Sequence, residues 1–497
     1  MSSDKLTLYW GDLHNHNAVG YARGSLERSI GLAREHLDFF AFTGHASWHD
    51  IPQMPGDRHE KWFRGFDVHT KHWPKTRELI KEANSGSFAA FLGYEWHSSE
   101  YGDYHLVFPE DQPDLYLPDH VEKLLDFAKK KGALAVPHHV GYKQGWRGMN
   151  WKYFDPDVSP VAEIFSEHGC TESDRSPYPM IRHSIGGRST ATTILYQLAR
   201  GLRFGFVAST DDHLGYPGAY GEGLVGAWAE SLKPASIFEA IKRRRTVAVT
   251  GDRISLDFTL NGQPMGTEMP YTEERRMEVG VEGQDSVEVI ELVRKGKIIE
   301  RYFPEDHISD PISLPGRFKC RLQYGWGPWA VLDLGRICEW DIVIRIRGGR
   351  FVTAQRCFQA GPYNETLRDR LRVVSENTME LRSFTSREGC YAEDPTKSVI
   401  LELEANPDAE LTLEMEKPVK LNKNVKLRDL IEKNVVEMTG VMTSESFIVH
   451  RLAAPEEYSA RITWTDRQSD ESRSDWYFVR VKQHNGHLAW SSPIWVG

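Results

Sequence analysis

The first half of the chain predicts parallel β/α construction of the barrel kind, and three observations lead there. Seven apolar, β-branched or aromatic runs alternate with helical segments over residues 1–250. From Gly251 the pattern turns to short runs of alternating apolar and polar residues, the mark of an antiparallel, β-sandwich-like domain over 251–497. Sixteen of the twenty histidines precede residue 214, so the chemistry is expected in the first half.

Residues 6–10 (LTLYW) read as a buried strand. His14 and His16, just past its end, point the same way if the pairing persists. Ser25 N-caps a helix to about residue 36, with Glu27 in its first turn. Residues 37–43 (LDFFAFT) form the next strand, ending at Gly44-His45. A polar and aromatic helix over 60–83 is expected to break or kink at Pro74, with His59, His69 and His72 facing solvent. Residues 88–95 (FAAFLGYE) make a third strand, and 104–108 a short extra one holding His105. A helix over 118–131 stops at Gly132, a C-cap. Strands at 133–137 and 161–166 end at His138-His139 and Glu167-His168. A helix over 189–200 leads to a strand at 203–209, ending at Thr210-Asp211-Asp212-His213. Pro234 opens a helix to about 244, and 246–250 (TVAVT) closes the series. In the second half, alternating runs fall at 254–261, 277–281, 287–294, 338–346, 399–403, 460–465 and 476–481, and a short helix at 427–433.

Composition narrows the function. A hydrophobic content of 40% with 27% charged residues is that of a globular protein. The net charge of −10 argues against nucleic-acid binding through a basic surface, while a small anionic substrate needs only a local positive site. No run approaches the roughly 20 apolar residues of a membrane span, and the first residues hold no apolar signal core. Five scattered cysteines without CxxC spacing fit a reduced, cytoplasmic protein. The expected partner is a small-molecule substrate, with neither nucleic acid nor membrane.

In β/α barrels the active site forms at the C-terminal ends of the strands. His14, His16, His45, Glu95, His138, His168, Asp211 and His213 all fall at or just beyond such ends, where imidazoles and carboxylates together suit zinc, iron or manganese. Lys143, Arg182 and Arg188, in loops on the same face, are the candidates for binding an anionic group. Residues 145–151 (GWRGMNW) form an aromatic, glycine-rich loop that walls a pocket or packs on the β domain. Cys170 reads as a plain buried thiol.

The stretches Asp12-Leu13-His14-Asn15-His16, Phe42-Thr43-Gly44-His45, Gly93-Tyr94-Glu95, Val136-Pro137-His138 and Ser209-Thr210-Asp211-Asp212-His213 together resemble the PHP (polymerase and histidinol phosphatase) superfamily of metal-dependent hydrolases. The chain is also similar to a subgroup with a C-terminal β domain, through Glu163-Ile164-Phe165-Ser166-Glu167-His168-Gly169 and the ending from Trp476 to Trp495. The resemblance implies a distorted seven-stranded (β/α) TIM-like barrel holding up to three metal ions. By the same token, His14, His16, Glu95 and Asp211 hold the first. Glu95 as bridge, His105 and His138 hold the second, with His139 the less favoured alternative to His138. His45 and His213 hold a third with a ligand from the loop after His16. That loop, 17–23 (NAVGYAR), has no Asp or His, and the frequent Asp before the second-motif His is Gly44 here. The expectation is therefore one or two divalent cations (Zn, Mn or Fe), with His45 and His213 free to serve as acid, base or substrate contacts beside Asp211 and His168. The implied activity is hydrolysis of a small organic ester by metal-activated water, a phosphoester first. A carboxyl ester, amide or carbamate is the rival, and a non-catalytic metal-containing binding protein a third possibility.

Overall fold

The structure is a computed structural model that describes residues 6–180, 186–309, 312–326, 335–387, 394–470 and 474–497. In the first half the apolar runs become β1 (Thr7–Asp12), β2 (Phe39–Phe42), β3 (His45–Trp48), β4 (Ala89–His97), β5 (Asp103–Phe108), β6 (Leu134–His138), β7 (Val161–Ser166), β8 (Gly169–Cys170), β9 (Gly205–Ala208), β10 (Leu224–Ala229) and β11 (Thr246–Val249). The helices between them are α1 (Leu26–His36), α2 (Glu60–Ala83), α3 (Val121–Lys131), α4 (Ile194–Ala199) and α5 (Pro234–Lys242).

The main sheet runs β11-β10-β1-β2-β4-β5-β6. β2 pairs in parallel with β1 and β4, and β3 with β4, whereas β5 and β10 are antiparallel to both neighbours. This corrects the all-parallel expectation. β10 (LVGAWA), a continuous apolar run with no alternation, passes unnoticed in the sequence and enters beside β1 in the reverse sense. Nor do the ladders of the described residues close into a barrel. β7 pairs in parallel with β9 in a separate three-stranded sheet. Isolated bonds link it to the main sheet: Ala135 N–H to Val158 O, just ahead of β7, at 2.8 Å, and Thr246 Oγ1–H to Phe206 O of β9 at 2.8 Å.

The helices follow their end signals. Ser25 Oγ accepts from Arg28 N–H at 3.2 Å to start α1, and Gly132, at φ 65°, closes α3 in the left-handed region. Pro74 does not break α2, which continues through it. Pro74 and Thr70 are both exposed, so the carbonyl deprived of its partner faces water. His69, expected in solvent, is buried and stacked on Phe42 with centroids 5.7 Å apart. That placement accounts for Gly44: a Cβ there would meet Val19 O at 2.5 Å and His69 Nδ1 at 2.9 Å. α4 is shorter than expected, residues 190–192 forming a separate 3-10 turn.

The second half is antiparallel β, as the alternation implies, apart from the short parallel pairing of Glu268–Met269 with Trp495–Val496. Its largest sheet is built on two long strands, Cys338–Cys357 and Lys397–Lys417. The core beneath joins Trp340, Ile342, Leu401 and Leu403 to Leu32, Leu214 and Tyr216 of the first half. The penultimate strand, Leu488–Ser491, pairs with β11, so the end of the second half extends the main sheet of the first half. The 427–433 helix is a 3-10 segment, Leu427–Ile431. Cys170, Cys320, Cys338 and Cys357 are buried free thiols, and Cys390 lies outside the described residues. Among the described residues no helix is long and apolar enough to cross a membrane.

Candidate metal centre

Strand register assembles the site. Glu95 on β4 lies opposite His45 on the parallel neighbour β3 and opposite His105 on the antiparallel neighbour β5. His97, two residues further along β4, shares the face of Glu95. Asp103 opens β5 opposite His138, which ends β6. The remaining ligands come from the ends of β1 and β9, which are tied together by their backbones: Asp211 N–H donates to His14 O at 2.7 Å and His16 N–H to Asp212 O at 2.9 Å. Asp12 fastens this junction, accepting from His14 N–H, Thr210 N–H, Thr210 Oγ1–H and Gly218 N–H over 2.6–3.1 Å. Asn15 pins it to β2, donating to Thr43 Oγ1 and Ala41 O. Asp211 itself takes φ 59°, a strained conformation for a residue with a side chain, in the middle of the site.

The imidazoles are oriented from outside. His138 Nδ1 meets Glu163 Oε1, His14 Nδ1 lies 3.4 Å from Glu163 Oε2, His97 Nδ1 2.8 Å from Asp103 Oδ2, and His213 Nδ1 2.7 Å from Asp211 O. At His14, His97 and His138, an N–H at Nδ1 toward these carboxylates leaves Nε2 as a lone pair turned inward, the arrangement that positions metal-binding histidines. The inward atoms crowd one another. His16 Nε2 lies 2.7 Å from Asp211 Oδ1, 3.1 Å from His14 Nε2 and 3.5 Å from Glu95 Oε2. His138 Nε2 and His168 Nε2 approach Asp211 Oδ2 at 3.1 and 2.8 Å, and His45 Nε2 faces His213 Nε2 at 3.0 Å. A single proton on His16 Nε2 cannot satisfy three acceptors, whereas a cation among them satisfies all. The triads His14–His16–Asp211, His14–Glu95–His138 and His16–His45–His213 each bring one ligand atom per residue within 4.8 Å of the others.

Charge makes the same demand. Burial raises Glu95 and Asp211, but the imidazoles beside them (His97 and His14; His14 and His138) outweigh it and hold both carboxyls well below their usual range. Burial lowers His16 to about 4 and drives His45, His105 and His138 well below their ordinary value. His14 goes the other way: burial lowers it, yet Asp211 and Glu95 lift it well above. Two buried anions among imidazoles that, His14 apart, burial keeps neutral call for further positive charge in the middle, which is the condition a divalent cation meets. His105 fits this: both ring nitrogens are buried without a hydrogen-bond partner, and its ring lies 4.5 Å from that of His14.

Comparison with known proteins adds similarity without a function. No family model matches the chain. Two proteins without assigned function, from Chlamydia muridarum and Chlamydia trachomatis, are each 25% identical over 329 residues, covering 60% of this chain and 49% of their own length. The chain thus spans about half the length of the relatives it matches. Among solved structures, a two-domain protein from Bacteroides vulgatus containing a predicted PHP-like metal-dependent phosphoesterase aligns over 85% of this chain and 96% of its own, at 12% identity and a TM-score of 0.36.

The residues singled out in sequence divide in two. His14, His16, His45, Glu95, His105, His138, His168, Asp211 and His213 meet in one buried cluster, His213 being partly exposed. Arg188 and Lys143, the cationic candidates among the described residues, do not join it. Arg188 donates to Cys170 O at 3.2 Å and Ser176 O at 2.8 Å. Lys143 is exposed and lines a groove of about 960 Å³ with Trp151, Lys152 and Arg200. Arg182 lies outside the described residues. Sequence reasoning missed His97, Asp103 and Glu163. Glu163 carried a signal, a lone charge in the apolar run VAEIFS, and the spacings Glu95-x-His97 and Asp103-x-His105 put each pair on one strand face.

Proposed function

We propose that this protein is a metal-dependent hydrolase of a small organic ester, with phosphoesters the first substrate class. The convergence of His14, His16, Glu95, His138 and Asp211, with the Nδ1 atoms of His14 and His138 held by Glu163, supports this reading most. Cations bound there would make water nucleophilic at neutral pH and offset negative charge developing on the substrate. The protein's own part is to hold those ligands rigid, with Glu95 between the His45 and His105 strands and Asp211 receiving His16, His138 and His168. His213 is the most exposed of the set, and Glu167, 3.1 Å from its Nδ1, lifts it to about 9 against burial. It therefore stands protonated at the mouth of the site, placed to donate a proton or a hydrogen bond to an oxygen of the substrate.

A carboxyl-ester, amide or carbamate substrate is the second reading, favoured by the engagement of Arg188 with backbone carbonyls and of Arg147 with Asp103. Hydrolysis of a phosphoester and carboxyl-ester panel with Mn²⁺ or Zn²⁺ separates the two. D211N and H14A are expected to lose at least 10²-fold in kcat/KM on whichever substrate is cleaved. Hydrolysis unimpaired in both variants refutes the enzyme reading.

A further inference from the structure

We infer that His97 completes a further cation position with His45 and Glu95, an inference that rests on the metal-dependent reading above. Three donor atoms from β3 and β4 form a triangle: His45 Nδ1 to Glu95 Oε2 is 2.8 Å, His97 Nε2 to His45 Nδ1 3.2 Å, and His97 Nε2 to Glu95 Oε2 3.3 Å. Those sides give a circumradius of about 1.8 Å. A point about 1 Å off the plane therefore lies about 2.1 Å from all three atoms, the distance at which zinc binds imidazole nitrogen and carboxylate oxygen. Two nitrogens and one oxygen also suit zinc, manganese or iron by softness.

A second observation is independent of that triangle. His97 Nδ1 lies 2.8 Å from Asp103 Oδ2, an oxygen that Arg147 also holds, and 3.1 Å from Arg147 Nη2. With its Nδ1 edge turned to that pair, His97 presents Nε2 to Glu95 Oε2 in a fully buried spot. An Asp–His pair is the usual way a ligand imidazole is aimed.

The two nitrogens of His45 serve different neighbours: Nε2 faces His213 Nε2 at 3.0 Å, and Nδ1, on the β4 side, faces Glu95 and His97. Tyr21 from the loop after His16 stacks on the His45 ring, with centroids 3.6 Å apart.

Zinc is the probe. The full chain is stripped with chelator, reloaded with Zn²⁺ and counted for metal per chain, alongside H97A, H97N and D103N. Wild type is expected to hold one zinc more than either His97 variant, and D103N to bind its weakest zinc about 10–100-fold less tightly. A zinc-loaded wild-type crystal should show an anomalous peak among His45, Glu95 and His97, and this decides the matter if the His97 variants do not fold. Equal stoichiometry in wild type and folded His97 variants, or zinc peaks only elsewhere, overturns the inference and leaves the hydrolase reading standing. Wild-type protein that takes up no zinc, manganese or iron overturns both.

Discussion

Replacing Glu163 by Gln isolates the orienting contact from the ligands themselves. Glu163 serves two imidazoles at once, His138 through Oε1 and His14, at 3.4 Å, through Oε2. Gln keeps the shape and one acceptor oxygen, but its amide NH₂ must face one of the two Nδ1–H groups. The closer His138 retains the oxygen, so His14 meets a donor and shifts its proton to Nε2. That proton then occupies the lone pair that faces Asp211 Oδ1 at 3.5 Å and Glu95 Oε1 at 3.6 Å. One misdirected ligand of this kind costs about 10–100-fold in metal affinity, or about 1.4–2.7 kcal/mol. The assay is competition of E163Q and wild type against a chromophoric zinc chelator. A melting curve of the metal-free proteins runs beside it and should move little, because a neutral amide is no harder to bury than the acid. Wild-type zinc affinity in E163Q refutes the argument that Glu163 sets the imidazoles. A large fall in the metal-free melting temperature would show instead that Glu163 holds the fold.

Two further outcomes follow from charge. Burial pushes Glu163 up to about 8 with His14 pulling it back, and Asp211 and Glu95 lift His14, so both groups hold protons in the neutral range that cations must displace. Zinc affinity is therefore expected to rise with pH through the neutral range, with proton release on binding; a flat profile between about pH 6 and 8 contradicts it. Between the two halves of the chain, Arg321 meets both oxygens of buried Asp252, at 2.9 and 2.8 Å. Removing the arginine in R321M should cost about 3–5 kcal/mol at pH 7 by stranding a buried charge. Burial raises Asp252 but Arg321 outweighs it and holds the carboxyl below its usual range. The pair's contribution is thus full above the unfolded value of about 4 and fades as pH falls toward the folded one. Denaturant titrations should accordingly show a smaller loss at pH 3 than at pH 7, and an equal loss at both would refute the pairing.

Local chemistry was enough to find the apolar runs, the caps at Ser25 and Gly132, the change of character after Gly251, and the ligand types that end the strands, because each depends on neighbours a few residues apart. His14, His16, His138 and Asp211 stand out for that reason. Pairing partners are another matter, since they are chosen by contacts between segments tens to hundreds of residues apart. The reversed senses of β5 and β10, the open ladder beside β7 and the return of Leu488–Ser491 onto β11 leave no periodic trace in the chain. The same distance effect hides His97, Asp103 and Glu163. Each lies within or opens a strand where alternation names a face but not what that face meets, and only the register that sets Glu95 between His45 and His105 turns these residues toward the cluster. His69 shows the converse: a histidine on a polar helix looks solvated until the packing of α2 on β3 and β4 stacks it on Phe42 and leaves room at position 44 for nothing larger than glycine.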